Sequence, residues 1–160
     1  MTFYTADLCD KYPNDVRVLN PLFQSFGGKC SVMGKIVTLK LPGSNVSLVQ
    51  FLKTTQGDGK ILVIDVDAQY TAVVGENMMK FAFKNNWSAL IVNGYVRDTV
   101  QTKAINVGLF ALGVCPKKTM QPQEGALHVS LHFAGVSFQE GDFLYADEDG
   151  IILSQALLQM

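Results

Sequence analysis

Two periodicities in the order of apolar and polar residues predict the elements of this chain. Residues 35–41 alternate polar and apolar side chains up to the Pro42-Gly43 turn, which is typical of a half-buried strand. Residues 60–65 and 89–92 contain continuous apolar runs, which indicate strands that are buried on both faces. The pattern therefore predicts a sheet with at least two fully buried strands.

Helical spacing of apolar residues predicts helices in three other segments. Residues 5–12 form a short helix with Thr5 as its N-cap, and Pro13 ends it. Residues 46–53 and 76–86 have apolar side chains at helical intervals. In the last of these helices, the packed face is predicted to carry Met78, Met79, Ala82 and Phe83.

The order of these elements predicts the fold class. Strand 60–65, helix 76–86 and strand 89–92 fit within about 35 residues, which is the span of a βαβ unit. Further strands are predicted at residues 105–114, in the alternating stretch 127–138, and in a hairpin formed by 143–146 and 151–153. We therefore expect one mixed α/β domain over residues 1–160.

The composition excludes or disfavours several classes of protein for this chain. Hydrophobic residues make up 48% of the 160 residues and charged residues 17%, which excludes intrinsic disorder and suggests that another copy covers part of the surface. The net charge of −1, without a basic stripe, disfavours direct binding to nucleic acid. No apolar run reaches the roughly 18 residues that a membrane span requires.

The N-terminus and the cysteines indicate the compartment. The first residues lack the pattern of a signal peptide. Cys9, Cys30 and Cys115 are widely spaced, with no C-x-x-C, which argues against both a disulfide framework and a zinc site. We therefore expect buried or half-buried free thiols in a reducing compartment, and a cytoplasmic protein.

Two segments at the edges of the predicted βαβ unit carry candidate chemistry. Residues 75–78 open the predicted helix, where free backbone N–H groups and the helix dipole can bind a carboxylate or a phosphate. Residues 93–98 follow a buried strand, and ligands of open α/β sheets collect at such strand ends. There Arg97 can hold a carboxylate with two bonds and Asp98 can hold a divalent cation. An Arg97–Asp98 ion pair that only solvates a loop is the alternative.

The same two segments resemble the signature of a known family. Gly75-Glu76 followed by Asn93-Gly94-Tyr95-Val96-Arg97-Asp98 is similar to the pattern of the RraA-like family. Residues 8–12, 26–28, 34–38, 141–142 and 146–152 resemble other segments of that family, in the same order. The resemblance covers nearly the whole chain. The family includes class II aldolases for 4-hydroxy-4-methyl-2-oxoglutarate and protein regulators of ribonuclease E.

The resemblance implies a fold, an assembly and a set of site residues. The fold is a swivelling β/β/α domain with mixed sheets and flanking helices, assembled as a homotrimer with active sites between subunits. Arg97 and Asp98 are the implied catalytic residues, with Arg97 binding a small 2-oxo acid and Asp98 holding Mg²⁺ or Mn²⁺. Backbone N–H groups of one loop would also bind the substrate, namely those of Gly75, Glu76, Asn77 and Met78.

The implied reaction is cleavage of 4-hydroxy-4-methyl-2-oxoglutarate to pyruvate, with the cation as a Lewis acid. Magnesium tolerates one or two protein carboxylates together with several waters, so Asp98 alone is adequate. Decarboxylation of oxaloacetate passes through the same pyruvate enolate, so one site can catalyse both reactions. The only argument for Glu76 as the general base is its position beside the other site residues. A water molecule bound to the metal is the alternative general base.

The family also implies an alternative function, which is inhibition of ribonuclease E by protein–protein contact. The short chain and the Leu8-Cys9-Asp10 opening resemble the regulators. The enteric regulators, however, lack the acidic residue that follows the arginine, whereas this chain has Asp98 at that position. An older label in the family, a methyltransferase, is disfavoured because no G-x-G-x-x-G turn follows a strand. Catalysis is the favoured hypothesis, and metal dependence discriminates it from regulation.

Of three further groups of polar residues, two have a simple structural interpretation and the third is a candidate for an additional metal contact. His128 and His132 lie on the polar face of a predicted strand, which argues against metal ligation. The acidic residues 147–149 are explained by a hairpin turn. Asp65 and Asp67, at the end of a buried strand, are reserve candidates for a second metal contact in the same crevice.

Overall fold

A computed structural model describes residues 2–43, 45–118 and 124–160 of the chain. Its helices are α1 (Thr5–Lys11), α2 (Val46–Thr54), α3 (Glu76–Lys84) and α4 (Thr99–Thr102). Its strands are β1 (Val16–Val18), β2 (Gln24–Ser25), β3 (Val32–Lys40), β4 (Ile61–Asp65), β5 (Ala72–Val74), β6 (Ala89–Val96), β7 (Gly108–Val114), β8 (Ala126–Leu127), β9 (Leu131–Phe133), β10 (Val136–Phe138), β11 (Phe143–Ala146) and β12 (Ile151–Ser154). No helix in these ranges is long and apolar enough to cross a membrane.

The main sheet is mixed, as the α/β prediction requires. Its strands follow the order β1-β12-β11-β3-β4-β6-β7-β2, while β10 and β9 form a separate antiparallel pair. Strands β3, β4, β6 and β7 are parallel to one another, and α3 lies between β4 and β6 in the chain. The predicted βαβ unit is therefore confirmed, with Val63 opposite Ile91 in register. The predicted hairpin is confirmed as β11 and β12.

Apolar strands supply both faces of this sheet because successive side chains point to opposite sides. In β4, Leu62 and Ile64 join the cluster that packs against α2 and α3. Ile61 and Val63 of the same strand join a second cluster with the side chains of β9 to β12. The helices contribute Leu48, Leu52, Met78, Met79 and Ala82 to the first cluster. The parallel strands are thus held from both sides, and their C-terminal ends form a rigid edge.

Two details of the helix predictions are wrong. Phe83 is 58% exposed, because successive residues lie about 100° apart around a helix and Phe83 falls beyond the packed face of α3. Thr5 is the first residue of α1, and the N-cap position is taken by Tyr4. The Thr5 hydroxyl instead donates a hydrogen bond of 2.7 Å to Oδ1 of Asp147.

Strand boundaries also differ from the sequence pattern. The stretch 127–138 is broken into short strands because His128 and Ala134 adopt left-handed backbone angles, with φ of 59° and 51°. Residues 93–96 continue β6 instead of following it, and β5, which the pattern did not reveal, pairs with this extension. The buried core therefore reaches to the start of the Arg97-Asp98 pair.

The three cysteines are free, as predicted, but their exposure differs. Cys115 is buried and Cys9 is half-buried, in agreement with the expectation. Burial and the nearby negative charges of Asp10 and Asp147 raise the pKa of the Cys9 thiol, which makes it a weak nucleophile. Cys30 is exposed, contrary to the expectation, because it lies in the connection between β2 and β3, outside the packed clusters.

Candidate active site

The two candidate segments lie side by side at the C-terminal ends of parallel strands. Strand β5 ends at Val74, Gly75 is the N-cap of α3, and the helix begins at Glu76. The carbonyl oxygen of Val74 accepts a hydrogen bond of 3.0 Å from the backbone N–H of Arg97. Because β5 and β6 are parallel neighbours, their ends bring the start of α3 next to the Arg97-Asp98 pair.

The carboxylate of Asp98 caps helix α3. Its Oδ2 accepts a hydrogen bond of 3.0 Å from the backbone N–H of Glu76. A Cβ atom at Gly75 would lie 2.6 Å from this oxygen, so glycine is what leaves room for the carboxylate. Asp98 itself has left-handed backbone angles, φ 58° and ψ 39°, which aspartate tolerates better than most residues. The positive end of the helix dipole stabilises the negative charge at this position.

The guanidinium of Arg97 reaches toward the segment that follows β7. Its Nη1 donates a long hydrogen bond of 3.4 Å to the carbonyl oxygen of Pro116. The side chain is half-buried, and within the described ranges it forms no ion pair with Asp98 or any other carboxylate. The alternative interpretation, an Arg97–Asp98 pair that solvates a loop, is therefore wrong. The guanidinium keeps donors for an anionic ligand.

A cavity of about 60 Å³ opens between these groups. A volume of that size has room for about four water-sized groups, so it can hold the end of a small acid. Its polar lining consists of two cations, one carboxylate and two amides. The lining residues are Asn45, Ala72, Val73, Val74, Gly75, Asn77, Met78, Arg97, Asp98 and Lys118.

Glu76 belongs to the site through its backbone and not through its carboxylate. The side chain forms an ion pair of 2.8 Å with Lys80, one turn further along α3, and it is not part of the cavity lining. The structure therefore gives no support to Glu76 as the general base. The reason is that the N-terminal residues of a helix direct their backbone N–H groups along the axis while their side chains point sideways.

The lining includes two polar residues that the sequence did not single out. Asn45 precedes α2, and its Nδ2 donates a hydrogen bond of 3.4 Å to the carbonyl oxygen of Val73. Lys118 is brought in by a β-bridge to Ala72. Neither residue lies near Arg97 in the sequence and neither belongs to a recognisable motif, so no local signal could have identified them.

The donors around the cavity fit a magnesium-type site with few protein ligands. Oδ1 of Asp98 accepts no hydrogen bond from any described residue, so it is open to a cation. Across the described part of the chain, no group of three or more His, Cys, Asp or Glu side chains could enclose a metal. Magnesium is usually held by one or two carboxylates together with water and substrate oxygens, and Asp98 meets that requirement. A closed zinc site would need more ligands.

Asp65 and Asp67 are engaged elsewhere, so their reserve role in this site is wrong. Oδ2 of Asp65 binds the ammonium of Lys40 at 2.7 Å, and Oδ1 of Asp67 binds the same ammonium. Oδ1 of Asp65 also accepts hydrogen bonds from Nδ2 of Asn93 at 2.8 Å and from the N–H of Asp67 at 2.9 Å. Both carboxylates are thus paired with Lys40, and no member of the cluster lines the cavity.

The acidic turn behaves as predicted, and His132 lies exposed on β9, but His128 lies between β8 and β9 with left-handed backbone angles, so its predicted place on a strand is wrong. Nδ1 of His128 lies 2.9 Å from Oε1 of Glu140, and Nδ1 of His132 lies 3.1 Å from the Ser137 hydroxyl. No described metal-type cluster contains them. Asp147 accepts hydrogen bonds from the N–H and the hydroxyl of Thr5, so the turn docks α1 on the sheet.

Two bacterial proteins resemble this chain over nearly its whole length. A protein of Dechloromonas aromatica, named as a candidate 4-hydroxy-4-methyl-2-oxoglutarate aldolase, is 42% identical over 159 residues, covering 96% of this chain and 97% of the relative. A protein of Bacillus cereus with the same name is 39% identical over 155 residues, covering 96% and 97%. The chain therefore spans nearly the full length of relatives that carry the aldolase name.

Solved structures share the fold closely. The RNA-processing inhibitor RraA from Thermus thermophilis has a TM-score of 0.93 and 34% identity, covering 99% of this chain and 96% of that chain. An S-adenosylmethionine: 2-dimethylmenaquinone methyltransferase from Geobacillus kaustophilus has a TM-score of 0.92 and 32% identity, covering 98% and 97%. The family model RraA-like, described as Aldolase/RraA, matches residues 5–153. With the fold, the relatives and this match in agreement, the chain belongs to the RraA-like family.

Proposed function

We propose that this protein is a divalent-metal-dependent class II aldolase that cleaves 4-hydroxy-4-methyl-2-oxoglutarate to pyruvate and also decarboxylates oxaloacetate. The observation that supports this most strongly is the meeting of Arg97, Asp98 and the N-terminus of α3 around one cavity. These groups supply anion donors and a cation ligand within one small space. The names of the relatives agree with the same activity.

Substrate binding is assigned to Arg97 and to the backbone N–H groups of Gly75, Asn77 and Met78, whereas the N–H of Glu76, also expected to bind substrate, is donated to Asp98. The guanidinium offers two parallel donors, which match the geometry of a carboxylate. The helix start adds backbone donors and the positive end of the dipole. Together they orient the 2-oxo acid end of the substrate in the cavity, next to the Asp98 carboxylate.

Asp98 is assigned as the residue that would hold Mg²⁺ or Mn²⁺. When bound, the cation supplies Lewis-acid stabilisation of the negative charge that develops on the keto oxygen as the carbon–carbon bond breaks. Arg97 contributes fixed donors to the same end of the substrate. Aldol cleavage and oxaloacetate decarboxylation develop the same charge, so one arrangement of these two side chains serves both reactions.

A homotrimer with sites at the subunit boundaries is part of the proposal. A single chain leaves the cavity small, at about 60 Å³, and leaves Asp98 exposed. Two positions after Asp98, Val100 on α4 is 83% exposed. A neighbouring copy that covers this surface would exclude water from the site, which strengthens the electrostatic interactions there. Light scattering of the purified protein would test the trimer.

Pyruvate release tests the catalytic proposal. The purified protein is supplied with 4-hydroxy-4-methyl-2-oxoglutarate or oxaloacetate, once with Mg²⁺ and once with excess chelator. We expect turnover of both compounds that chelator removes and Mg²⁺ or Mn²⁺ restores. Because free metal ions decarboxylate oxaloacetate slowly, the control contains metal without protein. A folded protein that gives no turnover above this control would refute the proposal.

The likeness to the RNA-processing inhibitor RraA favours a second candidate function, inhibition of ribonuclease E by protein–protein contact. The net charge of −1 fits a protein that binds the enzyme and not the RNA. This inhibition would require no cation, so it should persist in excess chelator. Failure of micromolar protein to bind purified ribonuclease E would count against this candidate.

A further inference from the structure

Lys118 stands beside Arg97 because the segment after β7 runs along β5 and β6. The backbone N–H of Cys115 donates to the carbonyl oxygen of Val96 at 3.0 Å, and that of Ala72 donates to the carbonyl oxygen of Lys117 at 2.8 Å. Ala72 and Lys118 form a parallel β-bridge. These contacts fix the backbone at Lys118 against the first residue of β5, and its side chain lines the same cavity as Arg97.

The direction of the Lys118 side chain is given by its place in the cavity lining. Successive residues of an extended segment point to opposite sides. Lys118 is half-buried and lines the cavity, whereas Lys117 is exposed and does not line it. The two neighbouring lysines therefore have different surroundings, although they have the same chemistry.

No carboxylate in the described part of the chain pairs with the ammonium of Lys118. Among the described residues it forms no ion pair, and the cavity holds only one carboxylate, that of Asp98, which is engaged by the N–H of Glu76. Lys118 and Arg97 are the two cations of the cavity lining, and two positive charges around one small cavity favour the binding of an anion there. The two cations and the one carboxylate of the lining leave a net charge of +1, which the proposed Mg²⁺ would raise to +3, more than one carboxylate of a substrate neutralises.

The size of the cavity shows where a second anionic group would lie. About 60 Å³ accommodates about four water-sized groups, so the 2-oxo acid end of a longer acid fills it. The remainder of a five-carbon dicarboxylic acid extends to the rim. A flexible lysine side chain at the lining can follow a carboxylate there, whereas Arg97 is tethered by its hydrogen bond to Pro116.

We propose that Lys118 is a specificity-determining residue whose ammonium binds the distal carboxylate of a dicarboxylic 2-oxo acid. This inference rests on the proposed function, since the 2-oxo acid end is taken to be held by Arg97 and the start of α3. It adds a residue that selects dicarboxylic over monocarboxylic 2-oxo acids. In 4-hydroxy-4-methyl-2-oxoglutarate this carboxylate is attached to C4, one of the two carbons of the breaking bond, so Lys118 would bind the part of the substrate that leaves as the second pyruvate.

Calorimetric binding of two unreactive probes in the presence of Mg²⁺ tests this inference. 2-Oxoglutarate carries the distal carboxylate, and 2-oxobutyrate lacks it. Lys118→Met removes the charge while it keeps the length of the side chain, and Lys117→Met is the matched control. We expect Lys118→Met to weaken 2-oxoglutarate binding by at least about 10-fold and to change 2-oxobutyrate binding by less than about 2-fold. Lys117→Met should change neither.

Three results would overturn the assignment of Lys118. These are equal weakening of both probes, no weakening of either, and an equal effect of Lys117→Met. Lys118→Arg keeps a positive charge and should retain most of the preference, and it replaces the methionine variant if that variant does not fold by circular dichroism. Failure of the wild-type protein to bind either probe with Mg²⁺ would instead refute the proposed function, so the two failures are distinguishable.

Discussion

The backbone N–H of Glu76 donates a hydrogen bond of 3.0 Å to Oδ2 of Asp98, which lies 22 positions later in the chain. This contact joins the first residue of α3 to the carboxylate that we propose as the metal ligand. Only one carboxylate oxygen is used in this way within the described structure, so the other can face a cation. Asp98 therefore has a structural and a proposed catalytic function, which substitutions can separate.

Replacement of Asp98 separates these two functions. Asp98→Ala should abolish metal-dependent pyruvate release and lower the free energy of unfolding by about 1 kcal/mol, the typical loss for a helix cap. Asp98→Asn keeps an oxygen for the N–H of Glu76 but loses the charge, so it should keep the stability and lose Mg²⁺-dependent turnover. Urea unfolding and Mg²⁺ titration of turnover measure the two effects. Normal turnover in Asp98→Ala would disprove the metal role.

Gly75→Ala should disturb the same contact sterically. The added Cβ would lie 2.6 Å from Oδ2 of Asp98, whereas the extended backbone of Gly75, φ −144° and ψ −161°, is open to any residue. We expect at least about a 10-fold loss of activity from the displaced carboxylate and a loss of about 1–3 kcal/mol in stability. In the double variant with Asp98→Ala the clash is gone, so the stability losses should not add. Strictly additive losses would contradict this geometry.

Arg97→Lys tests whether the forked guanidinium matters beyond its charge. Lysine keeps the positive charge but cannot donate two parallel hydrogen bonds to a carboxylate. We expect kcat/KM for both substrates to fall by at least about 100-fold, with the Tm nearly unchanged, since the only side-chain hydrogen bond of Arg97 to a described residue is the long one to Pro116. A loss below about 3-fold would show that Arg97 acts as a simple positive charge.

The contact between α1 and the acidic turn should make stability depend on pH. Burial works to raise the pKa of Asp147, but hydrogen bonds from Thr5, Asp149 and Gly150 outweigh it and hold the pKa below its ordinary value. A carboxyl whose pKa is lower in the folded state stabilises the fold above its unfolded pKa of about 3.9, and this contribution is lost as the pH falls through the folded pKa. In Asp147→Asn, the free energy of unfolding measured with urea should therefore fall less between about pH 5 and pH 2 than it does in the wild-type protein. An unchanged pH dependence would contradict it.

Lys40 should be a structural residue although it contacts two aspartates at strand ends. Partial burial works to lower the pKa of Lys40, but the hydrogen bonds and charges of Asp65 and Asp67 outweigh it and raise the pKa. Lys40→Met leaves the buried carboxylate of Asp65 without its cation, which should cost about 3 kcal/mol in urea unfolding. Asp67→Ala removes an exposed partner and should cost less than about 1 kcal/mol. Similar losses in both variants would contradict this difference.

The sequence by itself determined the elements whose formation depends on local pattern. The apolar runs of β4 and β6 and the helical spacing in α3 were sufficient to predict the βαβ unit, because burial of both strand faces requires such runs. It also identified residues 75–78 and the Arg97-Asp98 pair, because a helix start and a strand end are positions where ligands bind. The family followed from several matched segments, and the comparisons confirmed it.

Only the tertiary structure decided which of these groups contact one another. The cap of Asp98 on α3, the place of Lys118 beside Arg97 and the pairing of Asp65 with Lys40 all join residues that are distant in sequence. The pairing of β5 with β6 places the start of α3, Asp98 and Lys118 around one cavity. The three-residue strand β5 is too short for its pattern to be recognised in the sequence. Register and strand order depend on packing of the whole sheet, so a local pattern cannot specify the partner of a polar side chain.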